Sequence, residues 1–95
     1  MIDRKHYGIV AFPSSQAAGQ AELAFTESGR KSRLIPLPPQ ISAGCGLVLQ
    51  FDWEEAEETA AFLEKQAIHY TGIYEVTLTD QRKKLIRLWK EKGER

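Results

Sequence analysis

A single cysteine between two glycines has the clearest chemical potential in this 95-residue chain. The stretch ISAGCGLVLQF places Cys45 between Gly44 and Gly46, immediately before a run of apolar residues. A thiolate is a nucleophile, and its reactivity depends on its pKa and on its exposure. Flanking glycines remove bulk beside the sulfur and allow backbone conformations that point N–H groups at an anion. Cys45 is therefore the candidate reactive thiol, and a structural core cysteine is the alternative.

The elements around this thiol follow from hydrophobic patterning and turn residues. Short apolar runs bounded by turn signals predict strands at 7–12, 32–37, 46–51 and 72–79. Pro36 removes a hydrogen-bond donor, which predicts that the second strand is an edge strand. With two helices between the strands, the order is a ferredoxin-like βαββαβ pattern of the α+β class. We expect a four-stranded antiparallel sheet with two helices on one face.

The two predicted helices have recognisable starts and apolar faces. The first follows PSS, with the apolar face formed by Ala17, Ala21, Ala24 and Phe25, and it ends at Gly29. The second, predicted at 52–66, has Asp52 as its cap and Glu55 three residues later, as in a capping box. Its apolar face combines five residues at helical spacing: Trp53, Ala56, Ala60, Leu63 and Ala67.

The tail from Asp80 onward predicts a third, basic amphipathic helix. Leu85, Leu88 and Trp89 form a narrow apolar stripe in it. The organisation is then a domain at 1–79 followed by a C-terminal helix at 80–95. Basic residues outnumber acidic ones in this tail: Arg82, Lys83, Lys84, Arg87, Lys90, Lys92 and Arg95 stand against Glu91 and Glu94.

The predicted topology brings three remote segments to the edge of the sheet where Cys45 lies. They are the cysteine loop, the start of the first helix and the end of the second helix. Free N–H groups at a helix N-terminus lower the pKa of a nearby thiol. The candidate groups that stabilise the thiolate are Ser14, Ser15, Gly44 and Gly46, and the accessory candidates are Gln16 and His69. The alternatives are that the serines only cap the helix and that His69 is a surface residue.

Composition excludes several classes of protein. A formal net charge of +0 gives no overall attraction to nucleic acid or membrane. No apolar run approaches the ~20 residues of a membrane span, and one cysteine forms no internal disulfide, so we expect a cytoplasmic protein. Cys45, His6 and His69 are too scattered to predict a metal site, and no P-loop or hydrolase motif is present. We expect no cofactor.

Residues 7 to about 78 resemble a family of small bacterial domains described as selenium/sulfur carrier-like and formerly of unknown function. The resemblance rests on AFPSSQAAGQAELAF, on the LIPLP segment at 34–38, and on Ile41-Ser42 with Cys45-Gly46. Gln16 departs from the family pattern, because many members have a histidine after the hydroxyl residues. An amide cannot accept the thiol proton as that histidine would.

The resemblance implies a carrier in which Cys45 holds sulfur or selenium as a persulfide or selenopersulfide. Such a protein exchanges its cargo with donor and acceptor proteins and is at most a thiol-based carrier, not a stand-alone enzyme. The alternative is a non-catalytic ferredoxin-like interaction module with a structural cysteine. Nucleic acid is a disfavoured partner, because exposed aromatic pairs typical of RNA-binding sheets are not evident. The apolar stripe of the tail makes a homodimer through the C-terminal helix a candidate.

Overall fold

The computed structural model describes residues 2–91, which form five strands and two helices. The elements, in chain order, are β1 (His6–Ala11), α1 (Ser15–Glu27), β2 (Ser32–Pro36), β3 (Leu47–Phe51), α2 (Ala56–Lys65), β4 (Gly72–Leu78) and β5 (Lys84–Glu91). A 3₁₀ turn, Trp53–Glu55, leads into α2.

All strands belong to one sheet with the order β2-β3-β1-β4-β5, and every neighbouring pair is antiparallel. The central strand β1 pairs with β3 on one side and with β4 on the other. β2 is an edge strand, as its proline predicted. The α+β class with an antiparallel sheet and two helices is confirmed. The predicted four-stranded ferredoxin-like arrangement is not matched exactly, because a fifth strand extends the sheet beyond β4.

Both helices pack on one face of the sheet through small residues. Ala17, Ala18 and Ala21 of α1 are buried, as are Ala56 and Ala60 of α2, in a core that also contains Phe25 and Leu63. Alanines let a helix axis approach a sheet closely, and the larger side chains fill the space between them. The predicted apolar face of α1 is confirmed, with Ala24 partly buried.

One close approach across the sheet requires glycine. The Phe51 ring lies over Gly8 of the neighbouring strand, and a Cβ at position 8 would overlap that ring. Gly8 and Phe51 are paired in the antiparallel register of β1 and β3. The ring is 1% exposed and stacks with Trp53 at a centroid distance of 6.2 Å. Gly8 therefore gives Phe51, the one aromatic residue of β3, its place in the core on the helix side of the sheet.

The opposite face of the sheet carries a second apolar cluster. Its buried strand residues are Tyr7, Ile9, Ala11, Val48 and Val76. Ile41 is buried in the same cluster and Ala43 packs against it, and both belong to the loop between β2 and β3. Ile2 also packs there. The loop that carries Cys45 is thus anchored on the face of the sheet that no helix covers.

The second helix differs from its prediction at both ends. Asp52 accepts a hydrogen bond from Glu54 N–H at 3.3 Å, but the turn it caps is 3₁₀, and the α-helix starts at Ala56. At the other end, Ala67 has φ of 55° and is exposed, so it lies outside the predicted apolar face. Gly29, with φ of 78°, ends α1 as predicted, because a left-handed conformation at that position favours glycine.

The predicted C-terminal helix is wrong. Residues Lys84–Glu91 form β5, which pairs with β4 from Gly72↔Glu91 to Leu78↔Lys84. The hairpin turn places Arg82 at φ of 64° and is closed by a hydrogen bond from Thr79 N–H to Lys83 O at 2.8 Å. A bulge between Ile73 and Tyr74 pairs shifts the register near Trp89. The last part of the predicted helix, 92–95, lies outside the described residues.

Candidate functional site

The loop before β3 lies directly against the junction of β1 and α1. A Cβ on Gly44 would overlap the carbonyl oxygen of Pro13, so only glycine fits this contact without movement. The junction is fixed to β4 as well, because Thr71 N–H donates to Ala11 O at 2.8 Å. Three segments remote in sequence therefore meet at one corner of the sheet, which we call the Cys45 corner (Ala11–Ala17, Ser42–Gly46 and Ile68–Thr71).

The accessory candidates meet beside α1. Pro13, Ser14, Gln16 and His69 contribute to the wall of a cavity of about 270 Å³ at the first turn of the helix. His69 and Gln16 are exposed, and they come from two segments remote in sequence, Gln16 from α1 and His69 from the segment after α2. Cys45 is not one of the lining residues. The structure thus brings Ser14, Gln16 and His69 to one opening, which Cys45, Ser15, Gly44 and Gly46 do not line.

Ser14 has a structural role as the N-cap of α1. Its Oγ accepts a hydrogen bond from Ala17 N–H at 3.2 Å, and its carbonyl oxygen accepts from Ala18 N–H at 3.2 Å. These bonds leave the N–H groups of Ser15 and Gln16 without a partner among residues 2–91. They are the free donors that an α-helix presents at its N-terminus, where the dipole favours an anion.

Cys45 itself is buried. Its exposed fraction is 4%, and it belongs to the core cluster between the sheet and the helices, together with Phe12, Ala17 and Ala18. Within residues 2–91 its sulfur makes no hydrogen bond. Gly44 and Gly46 on either side are exposed. The thiol is therefore enclosed by the core while the backbone on both sides of it is at the surface.

The loop around the thiol is held at its ends. Leu37 N–H donates to Gly46 O at 2.9 Å, and Ile41 N–H donates to Pro38 O at 3.1 Å. Between these anchors, the N–H groups of residues 42–45 make no hydrogen bond within the described part of the chain. Segments with few backbone hydrogen bonds open locally at a smaller free-energy cost than strands or helices. Cys45 is therefore kept inside by packing: its own side chain lies in the core, Ile41 and Ala43 pack on the sheet, and Gly44 contacts Pro13.

Gly46 differs from Gly44 in its surroundings. No atom lies within 4 Å of the position that a Cβ on Gly46 would occupy, whereas Gly44 faces the Pro13 backbone. Gly46 therefore has open space beside the thiol, and Gly44 is required for the contact between the loop and the helix junction. The proposed action of Ser14, Ser15, Gly44 and Gly46 on a thiolate stays a prediction.

Tyr70 is a neighbour that the sequence analysis did not single out. It is 3% exposed and belongs to the same core cluster as Cys45. Burial, and then the Glu64 carboxylate, raise the pKa of the Tyr70 phenol above its ordinary value of 10.0. The hydroxyl donates to Glu64 Oε2 at 3.4 Å. The available signal was the alternation of Ile68 and Tyr70 with the polar residues His69 and Thr71, and the structure buries both Ile68 and Tyr70.

Within residues 2–91, no three His, Cys, Asp or Glu side chains are grouped closely enough to hold a metal ion. None of the helices described here has the length and apolar character needed to cross a membrane.

Comparison with known proteins gives one family. The model of the family described as "Putative Se/S carrier protein-like" matches residues 7–75, so the chain belongs to this family. The matched region runs from β1 into β4 and contains the whole Cys45 corner, whereas β5 lies outside it. No curated protein and no solved structure matches the chain.

Proposed function

We propose that this protein is a sulfur or selenium carrier that uses Cys45 as its cargo-bearing thiol. The observation that carries the proposal is the placement of a 4% exposed thiol between two exposed glycines, in a loop where the N–H groups of residues 42–45 have no hydrogen-bond partner within residues 2–91. Membership of the family supports the cargo class. A carrier must shield its bound sulfur from solvent and yet release it, and a buried thiol on a loosely bonded loop suits both needs.

The transfer is a thiol exchange without net oxidation. The Cys45 thiolate attacks the terminal sulfur of a donor persulfide, and the bond between the two donor sulfurs breaks. The donor leaves as a thiolate, and Cys45 becomes the persulfide. An acceptor thiolate then attacks the terminal sulfur of Cys45 in the same way and regenerates the Cys45 thiolate. Selenium would be carried as a selenopersulfide by the corresponding steps, and no cofactor takes part.

Exchange requires the loop at 42–46 to open, because a donor cannot reach a thiol that is 4% exposed. Once it opens, the sulfur lies close to the N-terminus of α1 in the chain's topology. The free N–H groups of Ser15 and Gln16 are the donors proposed to stabilise an anionic terminal sulfur. Gln16 contributes an amide that hydrogen-bonds but takes no proton, and the His69 imidazole on the same cavity wall is the proposed proton acceptor.

The carrier is proposed to act in the cytoplasm, where a reducing environment keeps an unpaired thiol free for exchange. Its partners are a donor protein and an acceptor protein, and each must fit the Cys45 corner closely enough to reach the thiol.

Intact-mass spectrometry after incubation with glutathione persulfide tests the proposal. We expect the native protein to gain the mass of one sulfur atom, and to lose it on addition of an acceptor thiol. Cys45→Ala should gain nothing, while Ser42→Ala, a change at an exposed position of the same loop, should react as the wild type does. A native protein that takes no sulfur, although its unfolded form does, would contradict a carrier function.

The burial of Cys45 also supports a second candidate, an interaction module in which the cysteine is only part of the core. In that case Cys45→Ala would lower stability and leave partner binding unchanged, and no persulfide would form in the native protein.

A further inference from the structure

Charge is segregated into two neighbouring elements of this electrically neutral chain. Glu57, Glu58 and Glu64 of α2 are exposed, and Glu54 of the preceding turn is exposed as well. The exposed side chains of β5 and its turn are mainly basic: Arg82, Lys83, Lys84, Arg87 and Lys90. The molecule therefore presents an acidic helix next to a basic strand.

A groove separates these two elements on the helix side of the sheet. One part, about 320 Å³, is lined by Glu57, Ala60 and Glu64 from α2 and by Trp89 and Lys90 from β5. An adjoining part of about 530 Å³ shares Glu57 and Trp89. We call Glu57 and Glu64 the acidic wall. The basic wall is Lys90, which lines the groove, together with Arg87, which lies outside the two lined parts on the same strand. The register puts Arg87 opposite Glu75 and Lys90 opposite the core residue Ile73, which places both on the helix side.

The two walls do not neutralise each other. Within residues 2–91 the ion pairs are His6 with Glu75 at 2.6 Å and Arg87 with Glu75 at 3.7 Å. Neither crosses the groove, and the Arg87 side chain is 85% exposed, so its pair is weak. The charges on both walls therefore remain available for a partner.

The groove also has aromatic content. Trp89 is 39% exposed and meets Trp53 edge to face, with ring centroids 5.5 Å apart. Further along β5, Leu85 is 61% exposed. Partly exposed tryptophans are enriched at protein–protein interfaces, where a large apolar surface is buried among polar groups. The outer edge of β5 has no neighbouring strand among residues 2–91.

We propose that a second copy of this chain occupies the groove, in a dimer with its two-fold axis along the groove. A rotation about that axis places the acidic wall of each copy opposite the basic wall of the other and brings the two Trp89 side chains together at the centre. Closed two-fold contacts of this kind require a self-complementary surface. Equal and opposite charge on two parallel walls is self-complementary, which argues for a second copy over a foreign partner of one charge. The dimer forms through a strand, not the helix that the sequence predicted.

Sedimentation velocity over a concentration series, from about 10 to about 500 µM, measures the association. We expect a species with about twice the chain mass of 10.8 kDa. It should form within this concentration range, as is usual for an interface of modest affinity. The dimer should dissociate as salt rises toward about 1 M, because the Debye length then falls to about 3 Å and screens the facing walls. A chain that stays monomeric over the whole series at low salt would overturn the proposal.

A charge-reversal pair identifies the surface. Glu57→Lys with Glu64→Lys makes both walls positive, and Arg87→Glu with Lys90→Glu makes both walls negative. Each double variant should be monomeric, with a dissociation constant raised at least ten-fold. An equimolar mixture of the two should form a heterodimer, because every positive wall then faces a negative one.

The matched control is Glu22→Lys with Glu27→Lys, which makes the same change of charge at exposed positions of α1. It should associate as the wild type does. Circular dichroism establishes that each variant is folded, and the salt series on the unmodified chain tests the proposal without any variant. A dimer that survives both reversals and high salt would show that the copies meet elsewhere, for example through the β5 edge, and would contradict the groove.

Discussion

The Cys45 corner and the α2–β5 groove are built in opposite ways. The corner holds its reactive group 4% exposed and depends on close contacts between backbone and small residues. The groove leaves its charges exposed and its Trp89 side chain 39% exposed. The corner also lies within the part of the chain that matches the family, whereas β5 lies outside it. Changes in side-chain volume should therefore affect the corner and the core behind it, and changes in charge should affect the groove.

The largest difference in the free energy of unfolding is expected between substitutions at a core position of β4 and at an exposed position of β5. Ile73 of β4 is fully buried, and Leu85 of β5 is 61% exposed. Ile73→Ala should lower the free energy of unfolding by about 2–5 kcal/mol, since it leaves a cavity under α2. Leu85→Ala should change it by no more than about 0.5 kcal/mol. Urea unfolding at low protein concentration measures both, and similar losses would show that β5 is part of the core.

Gly8→Ala tests the close approach in the middle of the sheet. A methyl group there overlaps the buried Phe51 ring, which has no free space to enter, so we expect a loss of about 1–3 kcal/mol. Gly19→Ala is the matched control. A Cβ on Gly19 meets no atom within 4 Å, and alanine in a helix should stabilise the protein by about 0.5–1 kcal/mol. Thermal unfolding of both variants at one pH measures the two changes in stability. Changes of the same sign would contradict the predicted close approach at Gly8.

Gly44→Ala and Gly46→Ala distinguish the roles of the two glycines beside the thiol. Alanine at 44 meets the Pro13 carbonyl and must push the loop away, at a cost of about 1 kcal/mol. It should also speed the alkylation of Cys45 in the native protein, because the loop then opens more readily. Alanine at 46 has open space and should leave both quantities near the wild-type values. Equal alkylation rates in the two variants would show that the Pro13 contact does not control access.

The smallest effect expected is a change in alkaline stability. The pKa of Tyr70 is raised, first by burial and then by Glu64, and that of Tyr74 is raised by burial and then by Glu91. A raised pKa means that the folded state holds the phenol proton more tightly than the unfolded state does. Its contribution to stability is complete below the ordinary pKa of 10.0 and is lost as pH rises through the folded value.

Tyr70→Phe should therefore lose less stability than the wild type between about pH 9 and about pH 11. Tyr74→Phe is the corresponding change beside β5, and it should likewise reduce the loss of stability over this pH range. Urea midpoints across this pH range give the measurement. If stability falls with pH equally steeply in the wild type and in Tyr70→Phe, the Tyr70 phenol ionises without cost to the fold.

Much of the fold could be predicted because local signals agreed with the tertiary structure. Pro36 indicated the edge strand, Ser14 and Gly29 indicated the ends of α1, and alanine spacing indicated its buried face. The meeting of the cysteine loop with Pro13 followed from the order of the elements alone. These features depend on few residues each, and their physical causes are visible in the sequence.

The tail could not be predicted in the same way. Leu85, Leu88 and Trp89 have helical spacing in the sequence, and lysine, arginine and glutamate favour helices. The hairpin turn contains no glycine or asparagine at its left-handed position, which Arg82 occupies instead. Pairing with β4 then overrides local propensity, and a bulge near Trp89 accommodates the apolar residues. Strand formation here depends on a partner strand, which no local pattern reveals.

The sequence left the burial of Cys45 open, because a core cysteine was the alternative to the access indicated by glycines on both sides. They allow the backbone to reach the surface while the side chain points into the core. Tyr70 was missed for a related reason, because its position in the cluster depends on the path of the chain after α2.

The rate of Cys45 alkylation in the native protein tests the central claim most directly. The rate should be measured as a function of pH with an excess of iodoacetamide. The measurement is made first without denaturant and then at rising urea concentrations below the unfolding transition. The account predicts that alkylation proceeds through local opening of residues 42–46, at a rate nearly independent of urea and faster than global unfolding allows. A rate that follows the unfolded population at every urea concentration would show that Cys45 is a core residue and would contradict the carrier function.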